Sequence, residues 1–180
     1  MTRIADALRI HAIANPDGIA IDAGQAGAVR WSEIAGRAEA LAARLIASMD
    51  PARAVAVDMD HGIANCIADI ALLEAGFSPV LLPPFFSPAQ RAHVLAHAGV
   101  QAVLSAGTDD EVLIAPQDQP RVELPAGTAK ISFTSGSTGA PKGICLSAEH
   151  MLTVASAVVD YLGAESAGRH LALLSPAVLL

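Results

Sequence analysis

Apolar positions along this chain follow two alternating rhythms. Between Thr2 and Ala14 they return at helical spacing, with Ile4, Leu8 and Ile13 on one face, and Asn15-Pro16-Asp17-Gly18 supplies the turn chemistry that ends such a helix. Short runs at Ile19 to Asp22 and Ala28 to Trp31, separated by the Gly24 to Gly27 turn, predict a hairpin. Ser32 reads as the N-cap of the next helix, with Glu33 in the first turn where the helix dipole favours an acid. Ile34, Leu41, Leu45 and Ile46 supply its apolar face, and Pro51 closes the region.

From Ala54 onward the rhythm changes. Ala54 to Met59 is a compact apolar run of the kind found in a strand buried on both faces. The pattern then predicts a helix over Gly62 to Ala75, a break at Gly76 and a strand over Pro79 to Leu82. Pro83-Pro84 is a stiff turn. Ser87-Pro88 opens another helix, with a capping hydroxyl followed by proline at the first helical position, and it ends near Gly99. Val100 to Ser105 reads as a strand. Thr108 to Gly127 is polar and carries Pro116, Pro120 and Pro125, so it predicts loop with one strand at Val112 to Ala115. Strands at Lys130 to Phe133 and Ile144 to Leu146 flank a polar segment, and a helix spans Ala148 to Leu162. Strands alternating with helices of ten or more residues predict an α/β fold, with a mainly parallel sheet flanked by helices.

Composition narrows the class. A chain of 180 residues that is 53% hydrophobic can bury a real core, while 3% aromatic content means that Ala, Leu, Val and Ile must build it. The net charge of −7 argues against a nucleic-acid partner, because a phosphate backbone needs a basic surface. Cys66 and Cys145 lie far apart in apolar surroundings and read as two buried free thiols, not as a disulfide or zinc site. The N-terminus lacks the long apolar run of a signal peptide, and no stretch is long enough for a membrane span; the expectation is a cytoplasmic protein. The closing Leu171 to Leu180 run is unusually apolar for a chain end, so the chain reads as cut from something longer, with a buried C-terminal strand as the alternative.

The chemistry is concentrated in Thr134-Ser135-Gly136-Ser137-Thr138-Gly139-Ala140-Pro141-Lys142-Gly143. Gly136 and Gly139 permit positive φ, which lets consecutive N–H groups converge into an anion-binding nest. Thr134, Ser135, Ser137 and Thr138 add hydroxyl donors, Pro141 stiffens the exit, and Lys142 brings a full positive charge. A Walker loop is excluded by spacing: the residue five after Gly136 is Pro141, and Lys142 is followed by Gly143 where that motif has a hydroxyl. A flexible Gly/Ser linker does not account for Pro-Lys-Gly between two apolar strands.

This segment resembles the phosphate-loop signature of the adenylate-forming superfamily, which includes acyl- and aryl-CoA synthetases and the adenylation domains of peptide synthetases. Val29-Arg30-Trp31-Ser32-Glu33-Ile34 and the Leu73 to Pro83 segment are similar to earlier parts of these enzymes in order and spacing. The resemblance implies that residues 1–180 are the N-terminal portion of an adenylation domain. It further implies a two-step ligase: a carboxylate attacks the α-phosphate of ATP to give an acyl-adenylate and pyrophosphate, and a thiol such as coenzyme A takes the acyl group. ATP, Mg2+ and coenzyme A are the implied co-substrates, and Thr134, Ser135, Gly136, Ser137, Thr138, Gly139 and Lys142 the implied nucleotide-binding residues. No catalytic base and no protein metal ligand are assigned. The later family motifs and most of the acid pocket fall beyond Leu180, so this chain alone is expected to be inactive and to self-associate through apolar surface meant for the remainder. The rival reading is a non-catalytic phosphate- or nucleotide-binding module, or a subunit completed in trans.

Other polar clusters have plainer readings. His93 and His97 stand four apart on a helix without a third metal ligand near them in sequence, and read as a solvated face. Asp58, Asp60 and His61 read as capping and turn residues after a buried strand. Ser147, Glu149 and His150 read as a helix start.

Overall fold

The computed structural model describes residues 3–134, 140–163, 168, 170–172 and 175–177, with side chains from residue 6 onward. Helix α1 (Arg3–Ala14) leads into an antiparallel hairpin of β1 (Ile19–Asp22) and β2 (Ala28–Arg30), then α2 (Trp31–Ser48). Two strand–helix units follow, β3 (Ala54–Asp58) with α3 (Ile63–Glu74) and β4 (Ser78–Leu81) with α4 (Pro88–His97), and then β5 (Ala102–Ala106) leads to β6 (Val112–Pro116). The described elements close with β7 (Thr128–Thr134), β8 (Lys142–Ser147) and α5 (Ala148–Leu162).

Six strands form one sheet in the order β6-β5-β3-β4-β7-β8. The four central strands run parallel, and β6 and β8 are antiparallel edges. The expected mainly parallel α/β sheet is therefore present, with a hairpin at each side. Strand β3 shows how the two-residue period divides the core: Val55 and Val57 face a cluster with Ile34, Leu41 and Leu45 of α2 and Ile67 and Leu72 of α3, while Ala54 and Ala56 face a cluster with Val94 and Ala98 of α4.

Several local expectations change. Helix α2 starts at Trp31, with Arg30 as its cap residue, and not after Ser32. The Glu33 carboxylate accepts the Arg30 N–H at 2.9 Å, while the Ser32 hydroxyl donates to the Pro16 carbonyl at 2.9 Å. Ile13 and Ile46 point to solvent, because their faces lie beyond what α1 and α2 bury. Cys66 is half-buried and Cys145 is exposed on edge strand β8, so neither is the fully buried thiol expected; both are free. The Ser87 cap holds as read: its hydroxyl accepts the Gln90 N–H, and Gln90 Oε1 accepts the Ser87 N–H in return.

Candidate functional site

The polar segment joins two strands of one hairpin. β7 and β8 are paired antiparallel, with Thr134 opposite Lys142 and Phe133 opposite Gly143. Thr134 and Lys142 are thus the two feet of the loop, facing each other at the hairpin mouth. Ser135, Gly136, Ser137, Thr138 and Gly139 lie outside the described residues. Gly143 has a packing reason to lack a side chain: a Cβ there would stand 3.0 Å from Cζ of the buried Phe133.

Charge is distributed unevenly on this hairpin. The sequence holds two lysines, Lys130 and Lys142, and both lie on β7 and β8. Lys130 has an acid near it. Burial pushes the Asp69 carboxyl above the usual range, and the Lys130 ammonium pulls part of that shift back. Asp69 and burial together also raise the Cys66 thiol, burial being the larger cause. Lys142 is exposed and makes no ion pair among the described residues. Neither lysine makes an ion pair among the described residues; Lys130 is half-buried with Asp69 in its field, and Lys142 stands exposed at the loop exit.

The exit is held from the side by α4. Pro141 is buried, and its carbonyl accepts a hydrogen bond from His93 Nε2 at 3.1 Å. The His93 ring stacks on His97, with centroids 5.2 Å apart and planes 14° from parallel, and His97 meets the Phe133 ring edge-on at 6.5 Å. The solvated-face reading of this histidine pair is therefore incomplete: His97 is exposed, but His93 is half-buried and bonded. The sequence offered only the four-residue spacing; the partner lies 48 residues away.

The remaining polar clusters settle into structural roles. Asp58 pairs with Arg91 of α4 at 2.6 Å, a role that capping does not describe, while Asp60 Oδ1 accepts the His61 N–H at 2.8 Å as a turn residue would. The Ser147 hydroxyl accepts the His150 N–H at 3.1 Å and starts α5. Among the described residues no three His, Cys, Asp or Glu side chains gather as a metal site would require, and no helix is long and apolar enough to cross a membrane. An open groove of about 450 Å3 lies elsewhere, lined by Ser32, Glu33 and Arg37 of α2 together with Ile63 and Asp110, and touches neither foot of the loop.

Comparisons with known proteins agree on one family. Residues 8–178 match the model described as AMP-binding enzyme. Among curated proteins, the chain is 27% identical to the nonribosomal peptide synthase roqA of Penicillium rubens over 96% of its own length and 8% of that protein's. It is 30% identical to the chondramide synthase cmdD of Chondromyces crocatus, over 83% of its length and 4% of the synthase. Among solved structures, o-succinylbenzoate CoA synthetase (MenE) from Bacillus subtilis with its acyl-adenylate intermediate superposes with a TM-score of 0.68 at 23% identity, covering 87% of this chain and 46% of that one. The N-terminal subdomain of Klebsiella oxytoca NpsA, solved with 3-hydroxybenzoyl-AMSN, gives a TM-score of 0.61 at 23% identity over 82% of this chain and 41% of the subdomain. The chain thus spans less than a tenth of these two synthases and less than half of these solved structures. Because the match runs from the first turns of α1 past α5 and takes in both feet of the loop, the chain belongs to the AMP-binding, adenylate-forming enzymes.

Proposed function

We propose that this chain forms the front part of an ATP-dependent ligase that activates a carboxylic acid as its acyl-adenylate and passes the acyl group to a thiol. The observation that carries the reading is the exposed Lys142, without an ion pair among the described residues, at the mouth of a hairpin whose connecting segment is rich in glycine and hydroxyls. In this reading Thr134, Ser135, Gly136, Ser137, Thr138, Gly139 and Lys142 grip the β- and γ-phosphates of ATP. Attack of the carboxylate on the α-phosphate breaks the bond to the β-phosphate, and negative charge builds on the departing pyrophosphate. Donors fixed in advance around that charge stabilise it without having to reorganise. Lys142 contributes the full charge, and the hydroxyls and amides contribute dipoles. Magnesium enters with the nucleotide as its counter-ion. The peptide synthetase relatives favour a carrier-protein thiol as acceptor, with coenzyme A as the alternative drawn from the CoA synthetase likeness.

The test is ATP–pyrophosphate exchange by the full-length protein, with a panel of amino acids, aryl acids and fatty acids. Exchange that depends on one acid class supports the reading and names the substrate. Absence of exchange across the panel, with ATP binding also absent, counts against it.

A further inference from the structure

We propose that His93 is a positioning residue for Lys142, braced by His97, so that helix α4 sets where the loop's charge stands. This rests on the reading of the loop as a phosphate grip. Helix α4 is itself firmly placed. The reciprocal Ser87–Gln90 cap closes its N-terminus, Val94 is fully buried against the sheet, and Arg91 Nη1 meets Asp58 Oδ2 at 2.6 Å to tie the helix to the end of β3.

From that base two stacked imidazoles reach the two feet of the hairpin. His97 bears edge-on against Phe133, the residue before Thr134. His93 bonds the carbonyl of Pro141, the residue before Lys142. A carbonyl only accepts, so Nε2 of His93 must carry the proton. The bonded carbonyl belongs to the planar peptide that joins Pro141 to Lys142, so fixing the oxygen fixes the plane from which the Lys142 backbone departs. Pro141 is buried with a locked φ, so the oxygen that His93 holds sits on a stiff segment of chain. Among the described residues no third ligand joins the His93–His97 pair to make a metal site.

Two variants of the full-length protein separate positioning from simple packing. His93→Phe keeps a ring to stack on His97 and loses the donor, whereas His93→Gln keeps a donor amide. Amide hydrogen exchange of the segment containing residues 140–147, followed by mass spectrometry, reads the anchor directly, and the KM for ATP in pyrophosphate exchange reads its consequence. His93→Phe is expected to exchange about fivefold faster in that segment and to raise the KM for ATP by about fivefold, the factor that one neutral hydrogen bond is worth, with His93→Gln restoring most of both. Unchanged exchange in His93→Phe overturns the anchor. Faster exchange with an unchanged KM overturns the positioning of Lys142. If the wild-type protein shows neither pyrophosphate exchange nor ATP binding, the ligase reading fails, and faster hydrogen exchange in His93→Phe with rescue in His93→Gln still supports the anchor.

Discussion

Replacing Lys142 with methionine tests the central electrostatic claim, because it removes the charge while keeping most of the apolar stem. An ammonium 4 Å from a unit negative charge gains about 1 kcal/mol in bulk water and about 4 kcal/mol at the effective dielectric of a protein surface. Lys142 is exposed and has no competing acid among the described residues, so its value lies between those limits. A charge-assisted hydrogen bond to phosphate, at about 2 kcal/mol, corresponds to roughly a thirtyfold loss of ATP affinity. The fold should be unaffected, since an exposed side chain away from packed features usually changes stability by less than about 0.5 kcal/mol. The assay is ATP binding by calorimetry together with pyrophosphate exchange in the full-length protein, at two ionic strengths. Lys142→Arg should retain most of the affinity, and the deficit of Lys142→Met should shrink as salt screens the wild-type contact. A change in ATP affinity below about threefold at low salt would refute the argument that Lys142 anchors the phosphates.

Other expectations follow from the same geometry. Burial raises the Asp69 carboxyl, so the folded protein binds a proton there more readily than the unfolded chain does; stability from this group is present below the ordinary aspartate range and is lost as pH rises through the raised value. Asp69→Asn should therefore flatten that decline and melt higher than wild type at neutral pH, and a lower melting temperature would count against the burial argument. Gly99 closes α4 at φ +59, and a Cβ there would stand 2.7 Å from the Val122 N; Gly99→Val should destabilise by about 2 kcal/mol or more by denaturant titration, and an unchanged midpoint would show that the loop yields freely. Helix α5 has no buried residue and exposes Val154, Val158 and Val159; residues 1–180 alone should associate with rising concentration in sedimentation experiments, and Val154→Lys with Val158→Lys should suppress it. Sedimentation as a monomer at all concentrations would refute that reading.

Much of the fold was legible before any coordinates. The compact apolar run at Ala54 to Met59 announced β3, and Ser87-Pro88 announced the start of α4, because caps and apolar runs are local properties that the chain expresses by itself. The boundary of α2 was less legible. Ser32 has the right side chain for a cap, yet its hydroxyl donates to the Pro16 carbonyl, and the Glu33 carboxylate accepts the Arg30 N–H of a helix that starts at Trp31. Cys145 was misplaced for a related reason: an apolar run reads as buried whether or not the sheet continues past it, and β8 is an edge strand.

The candidate site divides along the same line. Glycine, hydroxyl and lysine at fixed offsets carry their chemistry in the residue types, so the proposal that Thr134 to Gly143 grips phosphate is drawn from the order of the chain. Which lysine stands exposed at the loop, and what holds the chain beside it, needed the third dimension. Lys130 and Lys142 look alike as residues, and only the packing of α3 places Asp69 near the first and leaves the second without an acid among the described residues. His93 and Pro141 are 48 residues apart, and nothing periodic connects them. Local chemistry is written in neighbours along the chain, whereas the partners that fix a charge in place are chosen by the sheet order that brings β7, β8 and α4 together.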